Sequence, residues 1–566
     1  MSQNDYLMFK RNTGYQQTEL FCFDDKLTKK QTLYLHNSTE FTFFKEVFYK
    51  IDESLFAPLF SSTKSRPNAP INQLVGSLIL KHLHDWTYSE LFKNLTFNSL
   101  ARYAIGIKDP NIDVFSEATI FNFQNRVINY YEQTGKDLVT EVFDKLTSGY
   151  LNQFKVISNR QRGDSFLVDS KVIDYSRLRL FVEVLKRLSR VIDNDIKQDF
   201  CGKIAKYQSK TAGQYVYEIA REDLPDELNQ IALVYFDVNQ LIESMQNESK
   251  EVCNFRRVYK EYFTIENQKI TVKPTNESSS DNLKSPDDPE ATFSSKYGKG
   301  HVGYSTHLSE TVHPDNKINL ITDIVVVKNN VSDDKILEQR IPELKKKTPQ
   351  LNEYFVDSAY ANENIDKLNK EHGITQFQNG VKGRKSDANL RIKKKGESYT
   401  VTCAGGQIVE AVKAEKNYNV VFDPEKCKNC PIKDLCKLKT RGGKKTETIR
   451  FYYFDEKNIL AHERIQNIEK LTPELRNSRC NVEATVKELK RGMRNGKVRV
   501  KQWIRVSFHM VFTAISVNLR RIHLKNDKND FITELNVIYI MMYVDCTKKQ
   551  GEYFNEFQIP CYKISA

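Results

Sequence analysis

Two acidic residues of this sequence stand in contexts that suit metal-dependent phosphoryl transfer. Asp357 ends the apolar run EYFVD, and ligands of α/β sheets bind where strands end. Glu483 lies in RCNVEATVKELK, where Arg479, Glu483 and Lys490 are four and seven residues apart and share one face of a predicted helix. Carboxylate oxygens bind hard divalent cations, and neighbouring cations bind phosphate oxygens. Each acid also has an ordinary alternative, Asp357 as a turn or capping residue and Glu483 as part of a surface ion pair.

The segment that follows Glu483 carries a large excess of positive charge. Between residues 487 and 505, eight cations face the single acid Glu488, so ion pairing within the segment cannot neutralise it. The cations are Lys487, Lys490, Arg491, Arg494, Lys497, Arg499, Lys501 and Arg505. The whole chain has a formal net charge of +13 and a pI near 9.0. A nucleic-acid backbone is the expected partner, and a basic protein without such a partner is the alternative.

A group of cysteines suggests a second kind of metal site. Cys427, Cys430 and Cys436 follow one another at the short spacing that lets thiolates from a tight turn grip one tetrahedral Zn²⁺, and Cys403 can supply the fourth ligand. Such a closed site would be structural. The alternative is four reduced thiols in an insertion, because ten cysteines in 566 residues are too sparse for a disulfide scaffold.

The elements that must position these residues can be predicted from hydrophobic periodicity. Asp25 to Gln153 has the pattern of an all-helical domain, FLVDS after Arg162 reads as a strand, and residues 172–261 are mostly helical. Residues 273–291 are polar and rich in Pro, Ser and Asp, which predicts a flexible linker or surface loop without regular structure. Paired strands and then helix, strand, helix and strand follow up to residue 378, which predicts a partly parallel α/β sheet.

The carboxyl-terminal part is predicted to interrupt and then complete this sheet. Residues 380–450 form a basic, cysteine-bearing insertion with β-like alternation, residues 457–494 read as a long helical region, and a second helix spans about 503–522. The predicted domains are therefore listed as follows: 1–153, helical and DNA-binding; 154–379, the first part of the core; 380–450, the insertion; 451–525, the rest of the core; and 526–566, a tail with no predicted role.

The spacing of Arg479, Glu483 and Lys490, with RCNVEATVKELK around it, resembles insertion-sequence transposases of the DDE class. Similar segments are YFVDSAYANEN, QRGDSFLVDSKVIDYSRLRLF, SRPNAPINQLVGSLILKHLHDWTYSELF and FSEATIFNFQNRV, so the resemblance spans about residues 66–522. It implies an α/β catalytic core of the ribonuclease H-like type in which Asp164, Asp357 and Glu483 hold Mg²⁺ or Mn²⁺.

Two points depart from or complicate this resemblance. Relatives often carry Tyr three residues before the motif arginine, where this chain has Arg476. Two Asp-Ser pairs compete for the first carboxylate: strand alternation slightly favours Asp169, whereas an ungapped match to the family favours Asp164, which we choose. Arg479 and Lys490 are expected to hold phosphates of the transposon end, as are the further basic residues Arg476, Arg491 and Arg494.

The resemblance implies a DNA transposase that cleaves and joins the ends of an insertion sequence on double-stranded DNA, as a homodimer. A metal-dependent endonuclease that does not join ends, and a domesticated DNA-binding protein without catalysis, are the alternatives. His301 and His307 are expected to be structural or surface histidines rather than general bases. The sequence shows no apolar run long enough for a membrane span and no signal peptide, so a cytoplasmic protein is expected.

Overall fold

The protein is described by a computed structural model that covers most of the chain. The described residues are 9–16, 26–60, 67–109, 111–173, 175–243, 245, 248–266, 269–378, 390–396, 398–415, 417–442, 448–473, 475–476 and 481–549, with only the backbone described for 527–549. Among these residues, no helix is long and apolar enough to cross a membrane. The cysteines described there are all free thiols.

The amino-terminal part is helical, as predicted. Local signals set its helix boundaries: Thr28 with Gln31 and Thr87 with Glu90 form capping boxes, and Gly135 ends a helix in the left-handed conformation at φ 71°. The helices are α1 (Lys29–His36), α2 (Thr39–Glu46), α3 (Ile71–Leu83), α4 (Tyr88–Phe97), α5 (Ser99–Ala104), α6 (Glu117–Thr134) and α7 (Leu138–Gln153).

The first strand, β1 (Arg160–Asp169), extends beyond the predicted FLVDS run at its amino-terminal end. A helical insertion follows it and has a hydrophobic core of its own, which confirms the helical prediction for this part. Its elements are α8 (Arg177–Leu188), α9 (Asn194–Gln208), α10 (Ala212–Tyr217), α11 (Leu224–Leu241), α12 (Lys250–Tyr262), β2 (Phe263–Glu266) and β3 (Lys269–Val272).

The polar stretch 273–291 is a packed surface segment rather than a flexible linker. It contains a short 3-10 helix, Thr275–Glu277, and otherwise turns. Leu283 and Asp288 are fully buried. Asp288 accepts hydrogen bonds from the Tyr304 hydroxyl at 2.6 Å and from the Gln502 backbone amide at 2.9 Å. A buried carboxylate with such partners fixes the segment against the core.

The central sheet is mixed, which confirms the predicted partly parallel α/β arrangement. Both β4 and β6 pair with β5, and the sheet continues from β5 through β1 and β7 to β8. The pairs made by β5 are antiparallel, whereas β1–β7 and β7–β8 are parallel. The elements are β4 (Thr292–Lys296), β5 (Lys299–Thr311), β6 (Ile321–Lys328), α13 (Asp333–Lys347), β7 (Glu353–Val356), α14 (Glu363–His372) and β8 (Thr375–Gln378).

The cysteine-bearing insertion folds into two small antiparallel sheets, one of β9 to β11 and one of β12 to β15. Its elements are β9 (Arg391–Lys395), β10 (Ser398–Thr402), β11 (Ile408–Glu410), β12 (Val412–Lys413), β13 (Tyr418–Phe422), α15 (Pro424–Lys428), β14 (Lys439–Arg441) and β15 (Ile449–Phe454). The two sheets share a small hydrophobic core that includes Cys427.

The prediction of one long helical region over residues 457–494 is wrong, because the structure has two separate helices there. The structure has α16 (Glu456–Glu469), a break, α17 (Val482–Leu489) and an irregular segment up to residue 502. Asn495, Gly496 and Gln502 take positive φ angles in that segment, which a helix cannot accommodate. The last helix, α18 (Trp503–Lys549), runs well beyond the predicted end at residue 522.

One hydrophobic core joins the amino-terminal helices, one face of the central sheet and α18. It contains residues from α3 and α7, Phe166 and Val168 from β1, and Val511 and Ile515 from α18. Asn518 of α18 also bonds the backbone of Ile321 in β6 through both its oxygen and its nitrogen. The predicted amino-terminal domain is therefore packed into the same body as the sheet.

Candidate active site

Asp164 and Asp357 are brought side by side by the parallel pairing of β1 with β7. Arg162 lies opposite Phe355 in this register, and two further residues along each strand are Asp164 and Asp357. Alternate residues of a strand share a face, so both carboxylates lie on the face that carries Arg162 and Phe355. Their immediate backbone neighbours orient them, because Asp164 accepts from the Ser165 amide at 2.8 Å and Asp357 accepts from the Ser358 amide.

Glu310 links this face of the sheet to the helices above it. Its fully buried carboxylate faces Arg162 across the β1–β5 pair and accepts from the Arg162 Nε at 2.7 Å. The Thr485 hydroxyl of α17 donates at 2.9 Å, and Arg521 Nη1 of α18 donates at 2.8 Å. Removing one member of such a network would leave a buried charge without its partner, so the network holds α17 over β1.

Glu483 lies in the first turn of α17, two residues before Thr485, just as Asp164 lies two residues after Arg162. Thr485 and Arg162 meet at the Glu310 carboxylate, whereas Glu483, two residues earlier in the helix, lies on the side of α17 opposite to Thr485. The Glu483 side chain is exposed. The predicted phosphate-binding Arg479 lies outside the described residues.

Two leucines that precede α17 in the chain lie near β7. Leu471 and Leu475 pack in a small cluster with Phe355, which lies two residues before Asp357. The helix α17 begins at Val482, whose side chain is buried against the main core.

Asp169, the competing first carboxylate, is in a different environment. It is buried at the carboxyl end of β1, and its Oδ1 lies 2.9 Å from His301 Nδ1. Its backbone pairs with the irregular segment after α17, through the Gly496 carbonyl and the Val498 amide. Asp169 is five residues from Asp164, an odd number, so strand alternation points it to the opposite face from Asp164.

Asp333, in the first turn of α13, lies near the site, and the sequence analysis did not single it out. Burial raises the pKa of this carboxyl, the nearby Asp357 charge raises it further, and Ser165 and Lys296 lower it. An acid whose pKa is raised beside another carboxylate is typical of functional sites. The sequence signal was weak, because a first-turn aspartate is the commonest helix-capping pattern.

The histidines are structural, as expected for His307. Complete burial lowers the pKa of His307 to about 4, and its Nδ1 lies 3.2 Å from the Ser165 hydroxyl and 3.3 Å from the Tyr360 hydroxyl. The neutral imidazole of His307 therefore has a structural role, between the hydroxyls of Ser165 and Tyr360. His301 is engaged with Asp169.

The predicted DNA-contacting cations lie on and after α17. Lys490 Nζ lies 5.0 Å from the centre of the Phe166 ring, and burial lowers its pKa. Arg491 Nε lies 3.9 Å from Asp85 Oδ2, so this cation has an acidic neighbour in the amino-terminal part. Arg494 and Arg476 have exposed side chains. Of these cations, Lys490 is the one that a described contact places on β1, where Phe166 lies two residues after Asp164.

The four predicted zinc ligands line one small pocket in the insertion. Cys403, Cys427, Cys430 and Cys436 surround it, with the Arg450 side chain close to Cys427. Burial and the neighbouring Cys403 and Cys436 thiols raise the pKa of Cys427, while Arg450 lowers it. Four convergent thiols are the donor set that suits Zn²⁺.

The described acidic, histidine and cysteine side chains do not form a complete set of metal ligands. Within the described part of the chain, no three Cys, His, Asp or Glu side chains are grouped closely enough to hold an ion. The aspartate pair on β1 and β7 nevertheless supplies two hard oxygen donors on one face, whereas the Glu483 side chain of α17 is exposed. The donor chemistry fits a divalent cation.

Two family models match this chain. The model described as "Transposase DDE domain" matches residues 402–523, which include the cysteines of the insertion, Glu483 and Lys490 but not Asp164 or Asp357. The model described as "Transposase domain (DUF772)" matches residues 23–126, which form the amino-terminal helices. No curated protein and no solved structure matches the chain. The two family matches confirm the resemblance that the Arg-x3-Glu-x6-Lys spacing indicated.

Proposed function

We propose that this chain is an insertion-sequence transposase of the DDE class, supported by its two transposase domain matches, and that it cuts and rejoins transposon ends with divalent metal ions. The observation that carries the proposal is the β1–β7 register, which sets Asp164 of β1 opposite Asp357 after β7. With Glu483, these aspartates would supply three carboxylates from distant parts of the chain.

The topology supports a ribonuclease H-like core. Three antiparallel strands, β6, β5 and β1, are followed in the sheet by the parallel strands β7 and β8, and the helix α17 lies against the central strand. In this arrangement the first aspartate comes from the central strand, the second from the end of the neighbouring parallel strand and the glutamate from the helix. We therefore assign Asp164, rather than Asp169, as the first carboxylate.

We propose that Asp164, Asp357 and Glu483 hold two Mg²⁺ or Mn²⁺ ions. Bound there, such ions activate the attacking oxygen and stabilise the leaving oxygen of a phosphodiester. Glu483, whose side chain is exposed, would complete the donor set with the aspartate pair when the ions are bound. No covalent enzyme intermediate is needed, because the protein's task is to position phosphate and nucleophile.

Phosphate binding falls to the cations beside the carboxylates. Arg479 and Lys490 are proposed to hold phosphates of the transposon end, and Arg476, Arg491 and Arg494 extend the contact along the backbone. The amino-terminal helices are proposed to add further contacts to double-stranded DNA. A homodimer follows from the same proposal, because two ends must be cut and joined together. Such a protein acts on cellular DNA and is expected in the cytoplasm.

The pocket of four cysteines is proposed to bind one structural Zn²⁺. Cys427, Cys430 and Cys436 come from one short segment, and Cys403 from the turn after β10, so the ion would join the two small sheets of the insertion. A closed four-thiolate site leaves no coordination position for substrate. Its role would be to stiffen the insertion.

The test is an assay with DNA that carries the inverted repeats flanking the coding region, with and without Mg²⁺. Nicked ends that become joined to a target through their 3′ hydroxyls support the proposal. Nicking without joined product would instead assign the protein as an endonuclease, and end binding without nicking would assign it as a domesticated DNA-binding protein. The pre-cleaved 3′-hydroxyl end is the control that separates joining from cutting.

A further inference from the structure

The hairpin of β4 and β5 projects past the end of the central strand. The last β1–β5 pair joins Asp169 to Gly303, whereas the β4–β5 pairing continues outward as far as Lys296 opposite Lys299. This projecting part lies at the carboxyl end of β1, the same edge of the sheet at which Asp357 follows the parallel strand β7. The hairpin therefore projects beyond the carboxyl end of β1, whereas Asp164 lies further back along that strand.

The tip of this hairpin presents one aromatic ring to solvent. Tyr297 is 98% exposed, and Tyr297 and Gly298 form the two-residue connection with φ angles of 53° and 75°. Positive φ at both positions is the conformation that closes a tight hairpin, and it is unusual for tyrosine. Nothing in the packing of the described residues accounts for an aromatic residue there, since its ring contacts only the Lys296 ammonium, 5.8 Å from the ring centre.

The charges around the tip connect it to the candidate active site. The Lys296 ammonium lowers the pKa of Asp333, which also feels the charge of Asp357, and it lowers the pKa of Lys490. Lys296 and Lys490 therefore lie close enough to repel each other, with Asp169 near Lys490 and Asp333 near Lys296. Like charges that converge on one surface are stabilised when a polyanion binds there.

We propose that the β4–β5 tip is a DNA contact in which Tyr297 stacks on an unpaired base of the strand next to the cleaved phosphate while Lys296 and Lys299 hold backbone phosphates. This inference rests on the proposed function. A base in a duplex has its faces covered by its neighbours, so an aromatic ring can stack only on a base that has left the helix. The tip thus gives preference to DNA whose flanking nucleotides are unpaired.

The test compares binding to two versions of the transposon end, one fully paired and one with two unpaired flanking nucleotides, in EDTA so that no cleavage occurs. Tyr297→Ala should weaken binding to the unpaired version about tenfold and change binding to the paired version less than about twofold, because stacking contributes only to the former. Tyr297→Phe should bind both like the original protein. Tyr217→Ala removes an equally exposed tyrosine, 91% exposed on the helical insertion, and serves as the matched control.

Equal affinities of Tyr297→Ala and the original protein for the unpaired version would overturn the proposal, as would an equal loss on both DNAs. Lys296→Ala together with Lys299→Ala should lower the slope of log affinity against log salt by about two, and an unchanged slope would remove the lysines from the contact. The binding readout does not depend on catalysis. If the original protein fails to nick DNA, the proposed function is wrong, but the binding comparison between Tyr297→Ala and the original protein can still be interpreted.

Discussion

The Thr485 hydroxyl donates to the buried carboxylate of Glu310, with both Glu310 oxygens 2.9 Å away. Glu310 belongs to the sheet, and Thr485 to the helix that carries Glu483 two residues earlier. This contact therefore helps to fix the spacing between that helix and the sheet, together with Arg521, which bonds Thr485 and Glu488. Arg162 and Arg521 neutralise the same carboxylate, so the contact is charge-assisted.

Thr485→Val should slow metal-dependent nicking about tenfold or more and raise the Mg²⁺ concentration needed for half-maximal rate. The valine keeps the volume but loses the donor, so α17 shifts relative to β1 and the carboxylates no longer converge. Thermal unfolding should show a loss of about 1 to 3 kcal/mol, the cost of a hydrogen bond to a buried charge. Thr485→Ser should restore both the rate and the Mg²⁺ requirement, and a Thr485→Val protein with normal Mg²⁺ dependence would deny this positioning role.

Exchanging carboxylates for amides should separate the two candidates for the first catalytic aspartate. Asp164→Asn and Asp357→Asn should each reduce nicking to background while end binding survives, because metal ligation and phosphate positioning are separate tasks. Asp169→Asn is the matched control: it can still accept a hydrogen bond from His301 and should keep nicking activity. Loss of nicking in a folded Asp169→Asn protein, with Asp164→Asn active, would reverse the assignment.

Purified protein should contain about one Zn²⁺ per chain by elemental analysis if the four thiols act together. Cys430→Ser should remove the bound Zn²⁺ and lower the unfolding temperature of the insertion, since Cys430 Sγ packs against Gly405, close to Cys403. Cys253→Ser, which changes an exposed cysteine of the helical insertion, should retain the metal. A metal-free original protein of normal stability would argue that these thiols are merely reduced cysteines.

Stability should fall as the pH drops below about 6.5, because buried histidines resist protonation in the folded state. Complete burial and the charges of Lys81 and Arg499 lower the pKa of His509 to about 3, and burial also lowers that of the adjacent His82. The folded pKa is below the unfolded value of about 6.5, so the unfolded chain gains protons first and the stability present above that value is lost below it.

Between pH 7.5 and pH 5 this imidazole should cost the original protein about 2 kcal/mol of unfolding free energy. His509→Gln cannot titrate and should lose correspondingly less over the same interval, which denaturant melts at the two pH values would measure. An identical pH dependence in the two proteins would mean that His509 does not carry the effect.

Several elements could be predicted because their signals are local in the chain. The helical amino-terminal part and the strand at FLVDS are read from the pattern of neighbouring residues, and both lie where the sequence predicted them. The irregular segment after α17 could not be predicted in this way. The helical pattern runs on to residue 494, whereas the positive φ angles of Asn495 and Gln502 lie where the chain contacts distant segments, such as Asp288 at Gln502.

By itself the sequence determined the residue types, the local elements and the family resemblance, all of which depend on neighbours along the chain. Only the tertiary structure decided that Asp164, and not Asp169, lies beside Asp357, because strand register joins residues far apart in sequence. It also placed Glu310 under α17 and Tyr297 at a projecting tip. Pairing between strands and packing between layers are non-local, and a burial pattern alone does not specify which partner each residue meets.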